Sequence, residues 1–95
     1  MDPGGHLVEG DIVVQTVQVI ANLKAILAAV GLGLKDVVKT TVYLADLADF
    51  QEMNRTYGEF FPQDPPARTT IQVAGLPRKV SVEIDAIAVK TEWSA

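Results

Sequence analysis

The first third of the chain has apolar residues at a spacing that predicts an α-helix over residues 12–30. Asp11 stands just before this segment as a suitable N-cap, and Gly31 follows it as a residue able to end a helix in the left-handed conformation. β-branched residues favour a strand locally, but the stripe persists for about five turns and outweighs them. Its members are Ile12, Thr16, Val19, Ile20, Leu23, Ile26, Leu27 and Val30.

The rest of the chain shows strand and helix patterns in turn. Runs rich in β-branched residues predict strands at 37–44, 68–73 and 80–89. Between the first two, an apolar stripe predicts a helix over 47–61, capped by Asp46 or Asp49 and ended by the prolines that begin at Pro62. The order α, β, α, β, β predicts a single α+β domain over residues 1–95, with both helices on one face of a sheet.

Side chains alternate between the faces of a strand, so each predicted strand has a more apolar side that we expect to pack under the helices. These positions are Val38, Thr40, Val42 and Leu44; Thr69, Ile71 and Val73; and Val80, Val82, Ile84, Ala86 and Ala88. The other side is mixed and comprises Lys39, Thr41, Tyr43, Arg68, Thr70, Gln72, Ser81, Glu83, Asp85, Ile87 and Val89. If this face were fully buried, its charged groups would lack partners. If it were fully exposed, its apolar groups would face water. This face is therefore predicted to meet another subunit and to leave a polar cleft there.

Composition narrows the function classes. A net charge of −4 argues against a protein that binds nucleic-acid phosphates. The absence of cysteine excludes disulfides, thiolate metal sites and thiol catalysis, and a single histidine, His6, provides poorly for a metal site. The first residues lack the features of a signal peptide, and no uninterrupted apolar run reaches membrane-spanning length. The expected location is the cytoplasm.

Arg68 and Glu83 are the leading candidates for chemistry. They are predicted on the same mixed face of two strands joined by a short turn, where a guanidinium can bind a carboxylate and a carboxylate can position a water molecule. A cross-strand ion pair from Arg68 to Glu83 or Asp85 is the alternative, and the pattern alone favours it. Thr70 shares the predicted face of Arg68. Asn54 lies on the predicted apolar stripe of the second helix, where a buried amide would clamp a loop or orient a ligand.

Several segments resemble the Rid/YjgF family of enamine/imine deaminases, which is also described as L-PSP endoribonuclease-like. The strand at 37–44, followed by Asp46-Leu47 and Phe50, resembles the family's central strand and helix entry. Residues 54–57 and 60–62 resemble its next helix. Three further segments resemble the family's signature: PARTT at 66–70, VAGLP at 73–77 and VEIDAIA at 82–88. The resemblance follows the chain in order over essentially its whole length.

The resemblance implies a chorismate-mutase-like α+β fold and a homotrimer with ligand clefts between subunits. It implies hydrolysis of reactive 2-enamine or 2-imine intermediates to 2-keto acids and ammonia, without a cofactor. Carried over, Arg68 binds the substrate carboxylate, Glu83 positions the attacking water, and Asn54 and Thr70 support substrate binding. Thr70 stands where many members have cysteine.

The family's members begin with two further strands before an Asp-Pro-x-Gly turn, whereas here Met1 stands directly at that turn, residues 2–5. We therefore expect a shorter sheet, unless the true start lies upstream. Three functions stay open from the sequence: the deaminase, a non-catalytic carboxylate-binding or regulatory member, and an endoribonuclease or translation inhibitor.

Overall fold

The computed structural model describes residues 10–90, which form two α-helices and a three-stranded sheet. The elements are α1 (Ile12–Ala29), β1 (Val37–Leu44), α2 (Phe50–Phe60), β2 (Ala67–Gln72) and β3 (Val82–Ala88). Short 3₁₀ turns at Leu34–Asp36, Leu47–Asp49 and Pro77–Lys79 precede β1, α2 and β3. This order confirms the predicted α+β arrangement. The predicted turn at residues 2–5 and His6 lie outside the described residues.

The predicted caps at both ends of α1 are present. The Asp11 carboxylate accepts a hydrogen bond from the Val14 N–H at 3.0 Å, which satisfies one of the free donors at the start of the helix. At the other end Gly31 has a φ of 79°. The Gly31 and Leu32 N–H groups donate to the carbonyls of Ala28 and Leu27, the pair of bonds that closes a helix through a left-handed residue.

β1 is the central strand of the sheet. It pairs in parallel with β2 and antiparallel with β3, giving the order β2-β1-β3. The parallel pairing follows from α2, which carries the chain back across one face of the sheet between β1 and β2. β3 then takes the other edge of β1. The predicted cross-strand ion pair from Arg68 to Glu83 or Asp85 is therefore wrong, because β1 lies between the two strands.

Both helices pack on one face of this sheet, as predicted. The buried Ile20 of α1 and Met53 of α2 lie in the same apolar cluster as Val42 and Leu44 of the central strand. The rest of the buried apolar cluster comprises Ile12, Leu27, Val37, Tyr57, Phe61, Val82 and Ile84. Ile26 and Val30, both predicted on the inner stripe of α1, are exposed instead.

One residue of β1 departs from the predicted alternation. Val38 is 49% exposed, whereas Val37 is buried in its place. The pairing with β3 shifts register between Val37 and Lys39, and such a bulge changes which residues point to which face. Beyond it, Thr40, Val42 and Leu44 are buried as expected.

The predicted faces of β2 are wrong. In the parallel register, Arg68 lies opposite Thr40 and Thr70 lies opposite Val42. Neighbouring residues across a ladder share a face, and Thr40 and Val42 are buried beneath the helices, so Arg68 and Thr70 lie on the helix side. Ile71, expected in the core, is on the open side and 40% exposed. Since β2 is an edge strand, its register follows β1 rather than its own apolar content.

The prediction of a buried Asn54 amide is also wrong, because Asn54 is exposed. α2 turns Met53, Thr56 and Tyr57 towards the sheet, and Asn54 lies beside that buried strip. A 3₁₀ turn capped by the Asp46 carboxylate precedes α2, so the helix itself begins at Phe50 rather than at residue 47.

α1 has a length and composition that would also suit a membrane span, contrary to the sequence expectation. Its 18 residues have a mean hydropathy of 1.7. The core helices of many water-soluble proteins meet the same criterion, and one such helix is weak support for a span. In this fold the buried side of α1 packs against β3 and α2.

Truncating the centre of the core should destabilise the fold. Leu44→Ala removes a fully buried side chain of β1 and should lower the free energy of unfolding by about 2–5 kcal/mol, from lost burial and the cavity left behind. Leu47→Ala is the matched control, because the same atoms are removed from a half-exposed position; its cost should be about 1 kcal/mol or less. Urea denaturation at one fixed protein concentration measures both. Equal losses would contradict the core assignment.

Candidate functional site

Arg68 projects from β2 towards α2 and lies over two aromatic rings. The central guanidinium carbon is 4.9 Å from the centroid of the Tyr57 ring and 5.6 Å from that of Phe50. A guanidinium at this range is attracted to the electron-rich ring faces. The two rings, one from each end of α2, form a shelf beneath the cation.

Tyr57 is itself anchored to the sheet. A hydrogen bond joins its hydroxyl to Thr40 Oγ1, with 2.7 Å between the oxygens, and both residues are buried. The ring also contacts Phe61 at a centroid distance of 4.7 Å. Because Thr40 is the register partner of Arg68, one residue of α2 touches neighbouring positions on two strands.

The Arg68 guanidinium is half-buried, and no carboxylate among residues 10–90 forms an ion pair with it. A guanidinium carries five N–H donors in a planar fork that matches a carboxylate. With no ion-paired acid among residues 10–90 and its central carbon over the two rings, Arg68 is equipped to bind an anionic ligand.

Thr70 lies two residues further along the same side of β2. Its Oγ1 atom is buried and has no hydrogen-bond partner within the described part of the chain. Buried hydroxyls normally have a partner, so this one is a candidate for contact with a bound molecule. Beyond it, Gln72 accepts a hydrogen bond from the Leu47 N–H at 2.8 Å, which ties the end of β2 to the turn that starts α2.

Glu83 lies on the opposite, open face of the sheet from Arg68. It is the register partner of Tyr43 and is exposed. The prediction that Arg68 and Glu83 share one face is therefore wrong for a single chain, since the parallel register of β2 turns Arg68 to the helix side. Glu83 also borders a groove of about 290 Å³ between α1 and β3, with Gln15, Gln18 and Asn22 on its other wall.

Polar groups cluster beside Glu83 on the open face. The Tyr43 hydroxyl donates to Asp85 Oδ2 at 3.1 Å. This hydrogen bond raises the pKa of Tyr43 above 10.0, because ionising the phenol would remove the donor from a carboxylate; partial desolvation and the negative charges of Asp85 and Glu83 act in the same direction. No group of three or more metal-ligating side chains occurs within residues 10–90.

The structure thus brings together Arg68 and Thr70 on the helix side of the sheet. It leaves Asn54 exposed on α2 and places Glu83 on the opposite, open face. Sequence reasoning missed Phe50, Tyr57 and Thr40 as neighbours of Arg68. The spacing of Phe50 and Tyr57, seven residues apart on one helix face, is visible in the sequence. Their contact with Arg68 cannot be read from the sequence, because it depends on the register of β2.

Comparison with known proteins decides the family. Residues 1–90 match the family model for endoribonuclease L-PSP. The chain is a member of this family.

Relatives of this L-PSP family chain include named deaminases. It is 45% identical over 93 residues to 2-iminobutanoate/2-iminopropanoate deaminase of Salmonella typhimurium, covering 95% of this chain and 73% of the relative. It is 52% identical over 86 residues to a RutC family protein of Pyrococcus horikoshii, covering 90% of this chain and 68% of the relative.

A solved structure confirms the fold. The crystal structure of Escherichia coli TdcF with bound serine matches this family member with a TM-score of 0.89 and 39% sequence identity. The match covers 94% of this chain and 72% of the TdcF chain. The two helices on a mixed three-stranded sheet are the chorismate-mutase-like fold of YjgF and L-PSP proteins, as the resemblance implied.

The open-face hydrogen bond should be visible in the titration of Tyr43. We expect its pKa to lie above 10.0 in the folded protein and to fall in Asp85→Ala, which removes the acceptor and its charge. Site-resolved ¹³Cζ shifts of Tyr43 measure both values, with Glu59→Ala on the exposed side of α2 as the control.

Because the pKa of Tyr43 is raised on folding, the free energy of unfolding should depend on pH near this pKa. The folded state holds the Tyr43 proton more tightly than the unfolded chain, so this contribution is complete below pH 10.0 and is lost as the pH rises through the folded pKa. A Tyr43 pKa unchanged by Asp85→Ala would contradict the assignment.

Proposed function

We propose that this chain hydrolyses 2-imino acids to 2-keto acids and ammonia, with Arg68 binding the substrate carboxylate. The observation that carries the proposal is the half-buried Arg68, stacked on Tyr57 and Phe50 and unpaired with any acid among residues 10–90. A half-buried cation without an anionic partner loses part of its hydration, and a ligand carboxylate offsets that loss.

In the proposed reaction Glu83 positions the water. The water oxygen adds to C2 of 2-iminobutanoate while the carboxylate of Glu83 accepts its proton. Glu83 passes this proton to the imine nitrogen to give a 2-hydroxy-2-amino intermediate, the C2 hydroxyl then loses its proton to the same nitrogen as the C–N bond breaks, and ammonia leaves. Water and 2-iminobutanoate are converted to 2-oxobutanoate and ammonia, with no change of oxidation state. We assign no cofactor to this reaction.

Relatives support the substrate class. The Salmonella protein is named for 2-iminobutanoate and 2-iminopropanoate, and a relative in Arabidopsis thaliana, 48% identical over 84 residues, is named Reactive Intermediate Deaminase A. TdcF was crystallised with serine, which carries a carboxylate next to an amino group. A small 2-imino acid has the same carboxylate at the same distance from nitrogen.

Arg68 and Glu83 lie on opposite faces of one sheet, so we propose that the site is completed between copies in a homotrimer. The open face is suited to such a contact because Val38, Ile71, Ile87 and Val89 are all substantially exposed on or beside it. A cyclic arrangement can set the Glu83 of one copy against the Arg68 of its neighbour. This replaces the single-chain pairing predicted from sequence.

Two further residues are assigned supporting roles. The unpartnered Thr70 hydroxyl, two residues from Arg68 on the same side of β2, is proposed to hydrogen-bond the substrate. Asn54 is exposed one turn before Tyr57 on α2, where it can reach a ligand or a neighbouring copy rather than clamp the core. We propose a cytoplasmic location, in keeping with the small family domain.

The family's name supports a second candidate, RNA cleavage. The net charge of −4 counts against it, because RNA backbones require cationic contacts. RNA cleavage that persists in Arg68→Ala would place that activity at another site. A third candidate, a non-catalytic or regulatory carboxylate-binding protein, would bind the keto acid and release no ammonia.

Removing the guanidinium should abolish deamination. Arg68→Ala should lower kcat/KM for 2-iminobutanoate by about 100-fold or more, the effect of losing a charge-assisted pair of hydrogen bonds worth roughly 3 kcal/mol. The imine is generated in the assay, and its decay and the ammonia released are both followed. Arg55→Ala, which removes an exposed arginine from α2, is the matched control and should change the rate by about twofold at most. An unchanged rate in a folded Arg68→Ala variant would refute the proposed function.

A shared site predicts complementation between inactive subunits. Arg68→Ala and Glu83→Gln should each be nearly inactive, and unfolding and refolding them together should restore activity to about a quarter of wild type per site in randomly mixed trimers. Light scattering should give three times the 10.2 kDa protomer mass for every sample. Trimers that stay inactive after mixing would mean that Arg68 and Glu83 do not meet across an interface. Glu59→Gln, on an exposed part of α2, serves as the carboxylate control.

A further inference from the structure

We infer that Tyr57 and Thr40 are positioning residues that hold the Arg68 guanidinium in the orientation needed to bind a carboxylate. This inference rests on the carboxylate-binding part of the proposed function and extends it to two buried residues that do not themselves touch the substrate. Phe50 supplies the second ring of the same shelf.

The three residues form a closed triangle across three elements. Thr40 of β1 and Arg68 of β2 are register partners on the helix side of the sheet. Tyr57 of α2 meets both, through a 2.7 Å hydrogen bond to Thr40 Oγ1 and through its ring, which lies 4.9 Å from the guanidinium carbon of Arg68. The position of the ring relative to Arg68 is therefore set by the sheet register.

An arginine side chain has high rotamer entropy, which is lost when it binds a ligand in one geometry. Contact with an aromatic face restricts the guanidinium before the ligand arrives and leaves the N–H donors at its edge available. Those edge donors are the ones that make a paired contact with a carboxylate.

The hydrogen bond of Tyr57 fixes the ring rather than the cation. Tyr57 is 4% exposed and contacts Phe61, so packing alone would keep its ring inside the core. The bond to Thr40 adds a fixed point at the far end of the ring, directly beside the strand position of Arg68. A purely structural role would predict lost stability without a specific loss of carboxylate affinity.

The experiment titrates the protein with 2-oxobutanoate, the stable keto-acid product, and follows the Nε–Hε signal of Arg68 by NMR. In the unliganded protein the Arg68 δ and ε protons should be shifted upfield by the rings. Tyr57→Leu should weaken 2-oxobutanoate binding roughly tenfold, as expected for loss of a desolvated cation–π contact, and should abolish most of the upfield shift. Tyr57→Phe keeps the ring and should weaken binding by about threefold or less.

A double-mutant cycle distinguishes the effect of the Thr40–Tyr57 hydrogen bond from the effect of the Tyr57 ring. Thr40→Val and Tyr57→Phe each leave one buried hydroxyl unpaired, whereas the double variant leaves none and should recover much of the stability. Affinity should not recover with it, because the ring has still lost its fixed point. If affinity follows stability through the cycle, the pair is structural and the positioning role is wrong.

Phe50→Leu provides a second test in case Tyr57→Leu does not fold, because Phe50 is only half-buried and its loss should disturb the core less. Its ring is the more distant, at 5.6 Å, so binding should weaken by about twofold to threefold. A folded Tyr57→Leu or Phe50→Leu protein with wild-type affinity would overturn the inference, as would the absence of any upfield shift in the wild type.

The experiments distinguish failure of the proposed deaminase function from failure of the positioning role. If the wild type binds 2-oxobutanoate through Arg68 but releases no ammonia from 2-iminobutanoate, the deaminase proposal fails while the Tyr57 variants still decide the positioning role. If the wild type does not bind the keto acid, or Arg68→Ala binds it equally well, the carboxylate site and the inference fail together.

Discussion

The pairing of β1 with both of its neighbours governs which side chains can meet in this fold. Its parallel ladder with β2 sets Arg68 beside Thr40, and its antiparallel ladder with β3 sets Glu83 beside Tyr43. Because Thr40 is buried under α2 while Tyr43 faces away from the helices, the two candidate residues are directed to opposite sides. The geometry of the candidate site therefore depends on this central strand.

The two faces of the sheet consequently have different properties. On the helix side, a half-buried arginine lies over two aromatic rings, and partial burial strengthens its interaction with an anion. On the open side, Tyr43 donates a hydrogen bond to Asp85 among exposed apolar groups such as Ile87. In the proposed function the first face binds the ligand and the second contacts another copy. A reaction that needs both sets of groups requires more than one chain.

The aromatic shelf shows how a small fold can hold a charged group without an ion-paired acid among residues 10–90. The 2.7 Å hydrogen bond between Thr40 and Tyr57 is made by two buried neutral groups, so it carries no desolvated charge. The cation is restrained by ring faces, which attract it without occupying its donors. A carboxylate partner from the protein would have stabilised Arg68 equally well and would have blocked the same donors.

The helices, their caps at Asp11 and Gly31 and the three strands were predictable from sequence, because apolar period, cap chemistry and turn residues act over a few neighbouring positions. The family was indicated separately, by the resemblance of segments such as residues 66–70 and 82–88. Arg68 was singled out for its type and its segment, but its partners Tyr57 and Phe50 were not. Strand order, the bulge at Val38 and the face of β2 depend on pairing between distant segments. An edge strand takes its register from its neighbour, and a shift of one residue reverses every side chain, so only the folded chain could decide that Arg68 meets α2 and Glu83 does not.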